Sequence, residues 1–410
     1  MMSTSSDPCS GPATVVHDPS LSEYDFGPEH PMSPARVDLT IRLAAELGIL
    51  TGPISVGTGA NPGVRAVPAP IASLAQLQTV HEACFIEAVM AAGADPTGAR
   101  EDLGLGTEDN PAFPGTHEAA AHVVGASLEA CRQVWSGESL HSANITGGLH
   151  HARPARASGF CVYNDVAVGI QWLLDQGAER VAYVDVDAHH GDGVECIFYD
   201  DPRVLTISLH ESGQFIFPGT GECRDSGGLD ARGSAVNVPL PPGTGDAGWL
   251  RAFHAVVPPL LREFAPDVLV TQHGCDSHAD DPLADLVLSV DGQRAACLAL
   301  HELAHEVAQG RWVATGGGGY AVVQVVPRAW SHLLAIVGGR PLDPATEIPR
   351  SWRDHVQRTL GQQAPSRMGD GRSPSYRPWE EGYDPDTWLD RSINSTRNEV
   401  FPYHGLDPLP

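Results

Sequence analysis

The chain predicts an α/β fold: an open, doubly wound, mainly parallel sheet with helices on both faces and long loops gathered at the carboxyl ends of the strands. Three observations predict it. Helical patterns alternate with short apolar, β-branched runs through the middle of the chain, as in successive βαβ units. Those runs are continuous, as expected of strands buried on both faces. The 410 residues, 42% hydrophobic and 19% charged, suffice for one large α/β domain or two small ones and exclude a mostly disordered chain.

The elements follow in order. Residues 1–14 are small, polar and broken by Pro and Gly, and are expected to be a flexible end. Apolar residues recur at helical spacing over 34–47, with Gly48 as the stop. Residues 52–70 and 101–115 are rich in Gly, Pro and Asp and read as irregular loops. Residues 164–176 form a helix ended by Gly177, followed by strands at 181–186 and 203–209. A helix at 247–264 precedes a strand at 267–271; a helix at 293–309, stopped by Gly310, precedes a strand at 312–315. Beyond about 340 the composition shifts to Pro, Arg, Asp, Trp and Tyr, so 341–410 is expected to be an extended segment packing on a domain that spans 15–340.

Composition removes whole classes of function. The 51 acidic residues outnumber 25 basic ones, for a net charge of −26. Such a surface repels phosphate backbones and attracts cations, so a nucleic-acid partner is not expected. Every basic residue is arginine. A Schiff-base lysine, a Ser-Lys dyad and a complete P-loop are therefore impossible. No stretch approaches the roughly 20 apolar residues of a membrane helix. The eight cysteines form no CxxC pair, and the N-terminus has no basic region leading into an apolar one. A reduced, cytoplasmic protein without a signal peptide is expected.

The residues that carry chemistry cluster after the strands, where open α/β sheets place their sites. Asp185, Asp187 and His189 alternate, and in an extended segment they share a face. Two carboxylates and an imidazole on one face suit a divalent cation, and Asp276, from the segment Gln272-His273-Gly274-Cys275-Asp276, brings the ligand set to two Asp and one His. Three protein ligands leave a position open, the catalytic pattern of zinc, although Fe2+ or Mn2+ suits the same donors. His150 and His151 follow Gly147-Gly148 and suit acid/base work near neutrality, with Asp185 and Asp192 as orienting acids. Tyr320 follows four glycines, which allow close backbone approach and could bring its hydroxyl to a polarised carbonyl.

These motifs, in this order, resemble the histone deacetylase superfamily, specifically its class I-like bacterial branch of acetoin-utilisation deacetylases. The resemblance runs through His30-Pro31-Met32-Ser33-Pro34-Ala35-Arg36, Glu108-Asp109-Asn110-Pro111, Gly147-Gly148-Leu149-His150-His151-Ala152 and Gly159-Phe160-Cys161-Val162-Tyr163-Asn164-Asp165. It continues through Asp185 to Gly193, Ser208-Leu209-His210, Phe217-Pro218-Gly219-Thr220-Gly221, Gly274-Cys275-Asp276 and Gly317-Gly318-Gly319-Tyr320. It implies metal ligation by Asp187, His189 and Asp276, with His151 as general base and acid and His150 as its electrostatic partner. Asp185 and Asp192 would support the two histidines. Tyr320 would stabilise the oxyanion. Asp109 would grip the substrate backbone, although Asn110 departs from the usual Glu-Asp-Cys-Pro. Phe160 and Phe217 would wall an acyl-lysine tunnel, with Leu283 at its rim and Arg36 in the channel. Asp185, Ser208 and Leu209 would hold a structural K+. The implied reaction is hydrolysis of acetyl or short acyl groups from lysine by metal-activated water, on proteins such as acyl-CoA synthetases. Small cationic acetylamides, acetylpolyamines among them, are the alternative substrates.

Three competing readings remain in the sequence. His301-Glu302-Leu303-Ala304-His305 is a complete HExxH on a predicted helix, but no third-ligand pattern follows it. Asp187-Ala188-His189 and Asp276-Ser277-His278-Ala279-Asp280 could instead serve two manganese ions, as in arginase-like hydrolases. A non-catalytic acyl-lysine binding module is the third, and such modules typically lack a ligand or the tyrosine.

Overall fold

The computed structural model describes residues 12–51 and 63–410. The strands are β1 (Ala13–Val16), β2 (Leu50–Thr51), β3 (Val64–Val67), β4 (His141–Asn144), β5 (Val181–Asp185), β6 (Val204–Glu211), β7 (Ala235–Leu240), β8 (Val268–Gln272) and β9 (Trp312–Thr315). The helices are α1 (Ala35–Glu46), α2 (Leu74–Leu77), α3 (Ala83–Ala94), α4 (Thr116–Trp135), α5 (Asp165–Asp175), α6 (Asp192–Phe198), α7 (Asp246–Phe264), α8 (Val290–Val307), α9 (Val326–Val337), α10 (Arg350–Leu360) and α11 (Trp388–Val400).

The strands form one sheet in the order β2-β3-β1-β4-β9-β8-β5-β6-β7, and every pairing is parallel. Parallel neighbours need crossover connections, which the helices supply. The predicted doubly wound α/β fold is the fold observed. Two apolar layers cover the sheet. One contains Trp249, Trp312 and Trp330, with α7, α8 and α9. The other contains Phe85, Tyr163 and Tyr183, with α3, α4 and α5. The chain leaves β4, crosses to β5, β6 and β7, then returns to insert β8 and β9 between β4 and β5. The order reverses there, and ligand crevices form at such points.

Several elements differ from expectation. Ala13–Val16 is a buried strand that begins within the segment expected to be flexible, and Val64–Val67 is a strand within the expected loop at 52–70; residues up to 11 and over 52–62 lie outside the described residues. Both strands are four residues long, too short to stand out beside Pro and Gly. The 341–410 segment is not simply extended: it carries α10 and α11. Each is anchored by a few apolar positions at helical spacing, Trp352 and Val356 in α10, Ile393 and Val400 in α11, too sparse to mark a helix in the sequence. Trp352 donates its indole N–H to the carbonyl of Leu39, and Arg251 of α7 pairs with Asp390 of α11 at 2.7 Å. Among the described residues no helix is long and apolar enough to cross a membrane, and the seven cysteines are free thiols.

Candidate active site

Strands β4, β9, β8 and β5 are contiguous in the sheet. The segments that follow them carry, in that order, His150 with His151, Tyr320, Asp276, and Asp187 with His189. The sheet therefore brings residues up to 170 positions apart to one crevice.

The side chains of Asp187, His189 and Asp276 are buried, and one ligating atom of each lies within 4.8 Å of the others. His189 Nδ1 is 2.9 Å from Asp276 Oδ2 and 3.2 Å from Asp187 Oδ1. The Gly318 N–H donates to Asp187 Oδ2 at 2.7 Å. A Cβ on Gly318 would lie 2.0 Å from Asp276 Oδ2, so the glycine run is what admits both carboxylates. Burial and the facing Asp187 push the Asp276 carboxyl up to about 7. Burial opposes charge on His189, yet the two carboxylates raise it to about 10. The cluster therefore attracts positive charge, and a dication would replace its protons. The donors and their electrostatics fit a divalent metal.

Asp185 does not join this cluster. It closes β5, and the chain bends beyond it, so its carboxylate serves His150 while the Asp187 carboxylate and the His189 imidazole meet Asp276, where strict alternation expects all three on one face. Its Oδ2 accepts from His150 Nδ1 at 2.7 Å and from the Tyr183 hydroxyl at 2.6 Å; its Oδ1 accepts from the Asp187 N–H at 3.1 Å. His151 Nδ1 donates to Asp192 Oδ1 at 2.7 Å, and Arg153 donates to the other oxygen at 2.6 Å. The two Nε2 atoms of the histidine pair are 3.0 Å apart. Burial disfavours charge on both. On His150 the Asp185 and Asp187 carboxylates outweigh it, raising the group to about 9. On His151 burial and the charge of His150 act together and lower it to about 4. One histidine is held charged and the other neutral, the state required of a base.

Above this floor is a cavity of about 360 Å³ lined by Asp109, His151, Phe160, His189, Phe217 and Tyr320, with Leu283 at its exposed edge. Phe217 meets the His151 ring edge-on at 4.9 Å, and Phe160 meets Tyr320 edge-on at 5.7 Å. The Tyr320 N–H donates to Asp281 at 2.7 Å, and burial holds its hydroxyl well above the usual phenol range, so it is a neutral donor. Buried Arg36 donates to the carbonyls of Gly317 and Gly319 at 3.0 and 3.1 Å, fixing the loop that carries Tyr320. Ser208 stands opposite Asp185 in the β5–β6 register, next to Leu209.

Sequence reasoning missed Tyr183, Arg153 and Asp281. Tyr183 lies two residues before Asp185 on one strand face, so the alternation that picked out the acids could have reached it. Arg153 and Asp281 carry no local signal; only the fold shows their partners. His278 and Asp280 do not extend the metal cluster: His278 Nε2 pairs with Asp370 at 3.0 Å and Asp280 is exposed. Among the described residues the donor cluster in this crevice has three members.

The crevice sets a cluster that could hold a metal beside a histidine pair and a tyrosine, at the strand ends of an α/β protein. Comparison with known proteins supplies the family. Residues 30–337 match the histone deacetylase domain family. The acetoin utilization protein AcuC of Bacillus subtilis strain 168 is 41% identical over 360 residues, covering 87% of this chain and 90% of the relative. AcuC of Staphylococcus xylosus is 36% identical over 340 residues, 82% and 85% of the two chains. Among solved structures, an HDAC homolog complexed with SAHA superposes with a TM-score of 0.77 at 26% identity, covering 94% of this chain and all of that one. An HDAC homolog from Aquifex aeolicus does so with a TM-score of 0.77 at 25% identity, with the same coverage. The chain belongs to the histone deacetylase superfamily, in its acetoin-utilisation branch, and is a hydrolase of the deacetylase kind.

Proposed function

We propose that the protein removes acetyl or short acyl groups from the ε-amine of lysine in proteins, with Zn2+ held by Asp187, His189 and Asp276. Fe2+ or Mn2+ would suit the same mixed donors. Bound there, the cation supplies Lewis acidity toward a carbonyl oxygen and toward water. His151, oriented by Asp192, takes the proton of the attacking water and returns it to the departing amine. His150, kept charged by Asp185, offsets the negative charge that develops beside it. The Tyr320 hydroxyl donates to the carbonyl oxygen as that charge grows. Phe160 and Phe217 enclose the methylene chain and exclude water, Asp109 accepts substrate backbone N–H groups at the mouth, and Leu283 packs on the rim. Asp185, Ser208 and Leu209 would hold a structural K+ behind the histidine pair.

The observation that carries this reading is the aromatic-walled cavity ending on His151, His189 and Tyr320 together. Its exposed edge is apolar Leu283, which suits a peptide-borne lysine. The net charge of −26 favours the second reading, small cationic acetylamides, because it attracts free cations as well. The test is turnover of an acetyl-lysine peptide and of an acetylpolyamine by zinc-loaded protein. Peptide turnover should predominate. Tyr320→Phe should lower kcat by about 10²–10³ with metal content unchanged. Asp276→Ala should lose both metal and activity. Better turnover of the polyamine would transfer the assignment to small amides, and a zinc-loaded protein inert toward both would favour the binding module.

A further inference from the structure

The HExxH histidines take no part in the crevice, and the third partner missing from the sequence around them comes from another element. His301 and His305 are four apart on α8 and share a face. His141, the first residue of β4, stands against that face. His141 Nε2 is 3.1 Å from His305 Nε2, and His305 Nε2 is 3.3 Å from His301 Nε2. A ligating nitrogen of each of the three lies within 4.8 Å of the others. The rings meet nearly perpendicular, with centroids 4.7–5.0 Å apart.

Among neutral rings, hydrogen bonds do not satisfy both contacts. His141 Nδ1 donates to the Val337 carbonyl at 2.8 Å, so in the neutral ring its Nε2 presents a lone pair. If His305 Nε2 carries a hydrogen, that hydrogen serves the contact to His141 and not also the one to His301. If it carries none, two lone pairs face each other at 3.1 Å. At most one of the two contacts is therefore an ordinary hydrogen bond among neutral rings. A cation accepts all three lone pairs. Two nitrogens on a tetrahedral zinc at about 2.0–2.1 Å stand roughly 3.3 Å apart, close to the spacings seen. The Nδ1–H to a backbone carbonyl is also the outer support that metal-bound histidines use.

We propose that His141, His301 and His305 form a second cation site, taking a first-row divalent metal that prefers imidazole. His141 and His301 are buried and His305 is half-buried, so the site opens on one side. Glu302, the acid of the motif, is exposed. The site lies at the amino end of β4, whose opposite end leads to His150 and His151. Filled, it ties β4 to α8, and through Val337 to the end of α9. Its role is structural, and it is separate from the acyl-lysine chemistry.

The test is a count of zinc per chain after chelator treatment and dialysis against Zn2+. The whole protein should hold two ions. His301→Asn with His305→Asn should hold one and keep its deacetylase turnover. Asp187→Ala with Asp276→Ala should also hold one, with imidazole-only coordination by X-ray absorption after Co2+ loading. Should the histidine variant fail to fold, the aspartate variant decides alone. One ion on the whole protein and none on the aspartate variant would overturn the proposal, as would equal counts on the whole protein and a folded histidine variant.

Discussion

Gly159→Ala should disable the enzyme by displacing its base. Gly159 has a φ of +51° and lies in the cavity wall. A Cβ there would stand 2.6 Å from His151 Cδ2, 2.9 Å from its Cγ and 2.7 Å from Phe217 Cε1. The closest contact is about 0.8 Å short of ordinary van der Waals separation. Phe217 is partly exposed and can retreat. His151 cannot move without stretching its 2.7 Å bond to Asp192 or pressing on His150. A shift of that size in a catalytic group costs about 10²-fold in rate. The left-handed backbone adds about 1–2 kcal/mol of destabilisation for a residue with a Cβ. The measurement pairs kcat/KM on an acetyl-lysine peptide with the urea unfolding free energy. A fall near 10² with most stability retained is expected. A rate within twofold of the parent, in a folded variant, would refute the placement of His151 against this wall.

Two further outcomes follow from the charged groups around the site. Burial opposes charge on Asp192, but His151 and Arg153 hold its carboxyl down at about 2. A carboxylate depressed from about 3.9 contributes about 2 kcal/mol of stability that is present above pH 4 and lost as pH falls toward 2. Arg153→Ala should raise the pH of that loss, and Asp192→Asn should remove it; unfolding free energy measured from pH 6 to 2 reads both, and identical slopes in all three proteins would contradict the assignment. Arg36→Met should strand the carbonyls of Gly317 and Gly319, costing at least about 2 kcal/mol. It should also lower kcat more than it raises KM, by loosening Tyr320; an unchanged kcat would mean the loop holds itself.

The legible part of this protein was the part where chemistry repeats a local rule. Asp187, His189, Asp276 and the histidine pair each follow a strand or a glycine pair, and their types alone suggest a cation and a base. Strands β5, β8 and β9 were legible because they are apolar runs between helices. What the sequence hid was set by tertiary partners. Arg153 gains its meaning only when the fold brings Asp192 to it, 39 positions away. Alternation assumes an extended chain and puts Asp185 on one face with Asp187 and His189, but the chain bends after it and its carboxylate serves only His150 and Tyr183 and the Asp187 N–H. His278 and Asp280 resembled a second metal motif, but the C-terminal segment supplies Asp370 to His278 instead.

Strand β4 shows the physical reason most clearly. Its sequence, His-Ser-Ala-Asn, has no apolar run, yet all four residues are buried at the centre of the sheet. Each polar side chain is satisfied from another element. His141 donates to Val337, Ser142 accepts from Thr14 of β1, and Asn144 donates to Val123 and Ser127 of α4. A slip of one residue would reverse every side chain between the faces and break these bonds together. Buried polar groups left unpaired cost more than apolar mispacking of the same size. The register of β4, and hence the position of His150 and His151 against Asp185 and Asp192, is fixed by polar bonding rather than by hydrophobic pattern. A scan for hydrophobic periodicity is therefore blind to the strand that places the base.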